Sequence, residues 1–297
     1  MYYLYKALIF IFSKMSLGAL QRFAGGVGTL AWYLLKERRQ VAKVNAKIVT
    51  LSADSDKIAK ESFRQTFMAY FETAYVQNVD QDFIDKYVTV EGFENYKKIQ
   101  DEGKMFSLIS AHIGSWDLSS PITQHVCGFK LLVVGRESNN KALNRLLDDI
   151  RNMGDIEYAT QKGFLEKAAQ YDRVGCAIGS ILDHGTTKGD SVVAPFFGYR
   201  VPTLAGIAAL SARKKIPMLP TYLIRTKTGF KLIMHPPIYP NQELKAKDRI
   251  TDLVTRMNID FESIIKEYPE QWYLLHKRFK RLEEADGTIT SNRLYRP

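Results

Sequence analysis

From about Val88 onward the sequence predicts an α/β fold, a mostly parallel central sheet flanked by helices, preceded by an N-terminal helical segment suited to a membrane interface. The main observation is alternation: short apolar runs exchange with amphipathic stretches at helical spacing along the remaining chain. A second is the distribution of polar residues, because His112, Arg136 and Asp183 with His184 each stand just after an apolar run. A third is the first fifty residues, which are apolar and aromatic with basic interruptions.

The elements follow in order. Tyr2 to Phe12 and Phe23 to Leu35 are apolar, but Lys6, Lys14 and Arg22 break them before they reach the roughly 18 residues of a spanning helix. Lys36, Arg38, Arg39, Lys43 and Lys47 come next, opposed only by Glu37. Aromatic residues beside cations suit the headgroup region of an anionic leaflet, with a tilted span or a buried helix as alternatives. Residues 1–50 are therefore read as a membrane-anchoring segment, 51–282 as the main domain with a helical lead-in over 51–87, and 283–297 as a polar, mobile tail. In the lead-in, Ile58, Phe63, Phe67, Phe71 and Ala74 keep helical spacing. Beyond it, Phe106 to Ala111, Leu131 to Val134, Cys176 to Leu182, Met218 to Ile224 and Lys231 to Met234 read as strands. Ser119 to Cys127, Lys141 to Met153, Phe164 to Tyr171, Leu204 to Lys214 and Asp248 to Tyr268 read as helices.

A net charge of +10 calls for an anionic partner. Lys277 to Arg281 is basic, but no groove-reading motif accompanies it, so nucleic acid is not expected. Cys127 and Cys176 lie in apolar contexts with no CxxC and no cleavable secretory signal, which points to reduced, buried thiols on the cytoplasmic side. Gly26 to Ala31 matches GxGxxA, yet it lies inside an apolar helical stretch and follows no strand. Walker A, GxSxG and HExxH motifs are absent, so nucleotide hydrolysis, a serine elbow and a zincin site are unsupported.

Candidate chemistry centres on His112-Ile-Gly-Ser-Trp-Asp117, a histidine ending a strand and an acid opening the next helix. Asp117 is expected to orient His112, which would take a proton from a substrate hydroxyl. A satisfied core histidine with a first-turn helix acid is the plain alternative. Ligands of open α/β sheets bind beyond the carboxyl ends of the strands, where His112, Arg136 and Asp183 converge. Metal binding by His112, Asp117, Asp183 and His184 is a weaker reading, and no metal or cofactor is expected.

With these residues in hand, the chain resembles the late lipid A acyltransferase family over nearly its whole length. Asn45 after the basic run, the His112 box ending at Asp117, Arg136 with Asn139, Leu143 and Arg151, Asp183 before Ala194-Pro-Phe-Phe-Gly198, Thr203 and Gly206, and Asn258, Glu262 and Tyr268 to Tyr273 with His276 to Lys280 carry the resemblance. It departs at Asp117, where the family more often has glutamate, and at Asp183-His184, where it has Asp-Gln. The resemblance implies an O-acyltransferase at the cytoplasmic face of the inner membrane. Its donor would be an acyl-carrier-protein or coenzyme A thioester, and its acceptor a hydroxyl of a membrane glycolipid such as a lipid A precursor. His112 and Asp117 would be catalytic. Gly114 and Ser115 would offer backbone N–H groups to the oxyanion, while Arg136 and Asp183 would bind substrate. Phe196 and Phe197 would line the acyl path or belong to the core. An acyl-lipid hydrolase and a non-catalytic membrane- or carrier-binding protein on the same scaffold are the competing readings.

Overall fold

The computed structural model describes residues 1–135, 140–152, 155–160, 164–186, 189, 191–291 and 294–295. Four helices lead in: α1 (Tyr2–Ser13), α2 (Leu17–Leu34), α3 (Lys36–Thr50) and α4 (Ser55–Glu72), followed by a 3-10 turn (Thr73–Asn78) and α5 (Gln81–Tyr87). The sheet region then runs β1 (Val88–Glu91), α6 (Phe93–Asp101), β2 (Phe106–Ser110), α7 (Trp116–Cys127), β3 (Lys130–Gly135), α8 (Lys141–Arg151), β4 (Ile156–Thr160), α9 (Phe164–Gln170) and β5 (Cys176–Ile181). The hairpin β6 (Ser191–Phe196) and β7 (Tyr199–Leu204) precedes α10 (Gly206–Lys214), β8 (Met218–Arg225), β9 (Phe230–Met234) and α11 (Ala246–Glu267). A short hairpin, β10 (Arg281–Glu283) and β11 (Ile289–Ser291), follows.

Among the described residues, seven strands form one sheet in the order β1-β9-β8-β2-β5-β3-β4. Every pair is parallel except β8 with β9. The expected mostly parallel α/β architecture is therefore the observed one, and all five strands read from the sequence are present. Strands such as β2 and β8 are buried along nearly their whole length, because helices cover both faces. Adjacent residues divide between the two sides: Ile109, Leu132 and Ile178 pack toward α3, α4, α10 and α11, while Leu108, Leu131 and Ala177 pack toward α6, α7 and α8.

The first fifty residues are not an appendage. Leu17, Leu20, Ala24 and Trp32 of α2 and Val41, Ala42, Ala46 and Val49 of α3 are buried in the core, whereas α1 has no buried residue. Among the described residues no helix is long and apolar enough to cross a membrane. Within the polar tail, Tyr295 is anchored: its hydroxyl donates to Asn45 Oδ1 at 2.6 Å and accepts from the Phe279 N–H at 3.0 Å. A polar stretch with one anchoring tyrosine carries no periodic signal, which is why sequence reading misses it.

Candidate active site

Strand register builds the site. Ser110 of β2 lies opposite Ile181 of β5, so two residues further on each strand bring His112 and Asp183 side by side. Asp183 is buried and takes three hydrogen bonds. Its Oδ1 accepts from His112 Nδ1 at 2.6 Å, and its Oδ2 accepts from the His112 backbone N–H at 3.0 Å and from Trp272 Nε1 at 2.8 Å. Burial acts to raise the Asp183 pKa, but the charge and hydrogen bond of His112 outweigh it and hold the carboxyl well below the usual range. An ionised Asp183 keeps the proton on Nδ1 and leaves the Nε2 lone pair for chemistry.

His112 lines a cavity of about 230 Å³ over the ends of β2, β3 and β5, beneath α7. Asp117 lines it too, but it does not hold the imidazole. Its Oδ1 accepts from Arg151 Nη2 at 2.6 Å and its Oδ2 from Thr73 Oγ1 at 3.1 Å. The expected His112–Asp117 partnership is thus corrected: Asp183 grips the ring, and Asp117, in the first turn of α7, faces the end of α8 instead. Arg151 adds a guanidinium whose Nε is buried without a partner among the described residues. Burial would lower its pKa, and Asp117, Tyr158 and Asp148 more than reverse that.

The proposed oxyanion donors are corrected as well. The Gly114 N–H donates to Gln271 O at 3.0 Å and the Ser115 N–H to Leu223 O at 2.8 Å, so neither is free for a substrate. Both bonds stitch the box to its surroundings, along with an Ile113–Trp272 bridge and the Tyr273 N–H donating to His112 O at 2.8 Å. Gly114 has φ +60°, and a Cβ there would fall 1.9 Å from Leu223 O, so only glycine fits. Arg136 and Asn139 lie outside the described residues.

Beside His112 stands a cluster of rings. His184 is 4.2 Å from His112 between centroids and 5.2 Å from His276, and His276 stacks on Tyr273 at 5.5 Å. Burial lowers the His184 pKa to about 3 and that of His276 to about 4, so both are neutral beside His112. Phe196 and Phe197 pack on Trp272 and do not line the cavity, which places them in the wall behind Asp183.

Sequence reasoning did not assign Trp272, Arg225 or Glu72. Arg225 ends β8 and lies buried, donating from Nη2 to Gly114 O at 2.9 Å, from Nε to both Glu72 oxygens at 2.8 and 2.9 Å, and from Nη1 to Gln65 Oε1 at 3.0 Å. A lone arginine closing an apolar strand was its available signal. Trp272 lay in the carboxy-terminal signature, and it supplies the indole hydrogen bond to Asp183.

An imidazole fixed by a buried carboxylate at the strand ends, beside a cavity that a guanidinium also lines, is a constellation suited to acid–base chemistry. Among the described residues no serine or cysteine is hydrogen-bonded to that ring, and both cysteines are buried, with burial pushing the Cys127 thiol up to about 12. The family model described as bacterial lipid A biosynthesis acyltransferase matches residues 1–281, and the chain belongs to that family of acyltransferases. Relatives include the lipid A biosynthesis palmitoleoyltransferase of Escherichia coli (strain K12), 25% identical over 277 residues, covering 89% of this chain and 85% of the relative. A lipid A biosynthesis acyltransferase of Shigella flexneri matches to the same extent, 25% over 277 residues with 89% and 85% covered. The lipid A biosynthesis lauroyltransferase of Escherichia coli (strain K12) is 23% identical over 279 residues, covering 89% and 86%.

Proposed function

We propose that this enzyme moves a fatty acyl group from a thioester, carried by acyl-carrier protein or coenzyme A, to a hydroxyl of a membrane glycolipid, most simply a lipid A precursor. The observation that carries the reading is the Asp183-held His112 facing a cavity beside Arg151. His112 Nε2 takes the acceptor hydroxyl proton as its oxygen attacks the thioester carbonyl. Asp183 stabilises the imidazolium, which then protonates the departing thiolate. Arg151, whose Nε has no partner among the described residues, is suited to the oxygen that gains charge, in place of Gly114 and Ser115. No covalent acyl-enzyme is needed.

The lipid acceptor and an anionic leaflet find support in α1 and α2. Tyr3, Leu4, Phe10 and Ile11 on α1 and Phe23, Leu30, Tyr33 and Leu34 on α2 are exposed apolar side chains beside exposed Lys6, Lys14 and Arg22. Docking on the cytoplasmic leaflet spares the acceptor from leaving the bilayer, at about 0.8 kcal/mol per exposed methylene. In an assay with a labelled thioester and a lipid A precursor, His112→Ala should lose roughly 10²- to 10⁴-fold in transfer rate. A variant within a few-fold of the parent overturns the assignment, and free fatty acid formed without acceptor would mark a hydrolase instead.

A further inference from the structure

A second hollow, of about 190 Å³, lies between α1, α4 and the side of α8, lined by Tyr5, Ile9, Phe12, Tyr70, Phe71 and Leu146 among others. Apart from the hydroxyls of Tyr5 and Tyr70, the side chains that line it are hydrocarbon, so it offers nothing to a phosphate or to the polar arm of a thioester carrier. Helix α1 is unusual beside it. Tyr2, Tyr5, Ile9 and Phe12 face inward at helical spacing yet are only half-buried, Leu8 stands exposed at the rim of the hollow, and Tyr3, Leu4, Phe10 and Ile11 face outward and exposed. A helix apolar on both sides wants an apolar neighbour on both.

The hollow joins the two regions already described. Toward the outside, Phe71 contacts Phe12 at 4.9 Å and Phe23 at 5.6 Å, which ties it to the exposed apolar stripe on α2. Toward the inside, Tyr70 contacts Trp116 at 5.8 Å and Tyr273 at 6.4 Å, and those two rings flank His112 at 5.6 and 6.0 Å. Tyr70 is 46% exposed on one side and packs on these two rings on the other, so it spans the wall between hollow and cavity.

We propose that this hollow receives an acyl chain of the membrane-resident acceptor lipid, entering sideways beneath α1, and that Tyr70 is the residue that sets how far the lipid advances toward His112. The inference rests on the acyltransfer reading above for the lipid's role as acceptor. The chemistry selects the occupant: the lining admits hydrocarbon, the mouth adjoins the exposed apolar stripes, and Lys6, Lys14 and Arg22 nearby complement phosphate-bearing headgroups. A donor thioester arriving from water on a polar carrier would meet this mouth only through the leaflet.

The test uses the full chain bound to vesicles of phosphatidylethanolamine and phosphatidylglycerol carrying a trace of phospholipid with a diazirine at the end of one acyl chain. Photolysis should label Tyr70 and Phe71. Ile9→Trp, which fills the hollow from α1, and Leu146→Trp, which fills it from α8, should each reduce that labelling by about tenfold while labelling at Leu4 and Ile11 persists. Label confined to Leu4 and Ile11 in the parent, or unchanged at Tyr70 in both variants, overturns the proposal. In the transfer assay both variants should raise KM for the vesicle-borne acceptor by about tenfold and leave the thioester KM within about twofold. A rise confined to the thioester KM would assign the hollow to the donor and overturn it too. Absence of transfer by the parent would sink the reaction reading alone, because the photolabelling decides the hollow without catalysis.

Discussion

Asp183 does two jobs with two oxygens, and the consequence can be read in a single substitution. Oδ2 already accepts two N–H donors, His112 N and Trp272 Nε1, so an amide NH₂ cannot sit there. In Asp183→Asn the amide must therefore turn its NH₂ toward His112 Nδ1, which moves the imidazole proton to Nε2 and blocks the base. Transfer should fall by roughly 10³- to 10⁴-fold, as expected for a wrong tautomer. Asp117→Asn leaves the His112 tautomer alone and weakens only the grip on Arg151, worth about 1.5–3 kcal/mol, or roughly 10- to 100-fold. Steady-state rates of the two variants check the ranking, and an equal loss would return Asp117 to the base. The sequence placed His112 and Asp183 at strand ends on one edge of the sheet, but it paired His112 with the acid nearest in the chain. Proximity along the backbone misled because Asp117 sits in the first turn of α7 and reaches the end of α8, whereas the parallel register of β2 and β5 delivers Asp183.

The elements hold the box in place through one buried ion pair. Arg225 at the end of β8 bonds Glu72 at the end of α4 and the Gly114 carbonyl between β2 and α7, while Gln21 of α2 donates to Glu72 Oε1 at 2.8 Å. Three elements thus converge behind the turn that follows His112, and breaking the pair strands a buried guanidinium. Glu72→Leu should cost about 3–5 kcal/mol of stability, read as a fall in Tm or denaturant midpoint. A loss within about 0.5 kcal/mol would mean that water reaches the pair. Long periodic elements such as α11 and apolar runs such as β2 and β8 were legible in the sequence because burial imposes their pattern. Strands β1 and β4 and the β6–β7 hairpin were not, since short or half-exposed strands leave only a few residues of alternation.

At the scale of the whole molecule, the ring cluster around His112 should make the fold acid-sensitive. His276 Nδ1 donates to Tyr273 O at 2.5 Å, which leaves Nε2 buried with no partner among the described residues. Protonating it would place a charge there beside His112, His184 and Arg278, against which Asp183 and the Tyr273 carbonyl are the favourable partners. His184 meets the same four side chains, with His276 in place of itself. Burial lowers both folded-state values, to about 4 for His276 and about 3 for His184, from 6.5. Below pH 6.5 the unfolded chain therefore binds protons that the folded chain refuses, so stability rises with pH through that window. The contribution is fully present above 6.5 and is lost as pH falls toward about 4 and then 3, at about 1.4 kcal/mol per pH unit for each group. Asp183 adds to the same direction at lower pH, because its depressed folded value makes its stabilisation vanish as the unfolded carboxyl begins to protonate. Tm measured from pH 7 to pH 4.5 should fall continuously, and His184→Gln should flatten that fall by about the share of one group. An unchanged slope in this variant would mean that His184 takes up its proton in the folded state at its ordinary value, with the neighbouring rings opening to water as it does.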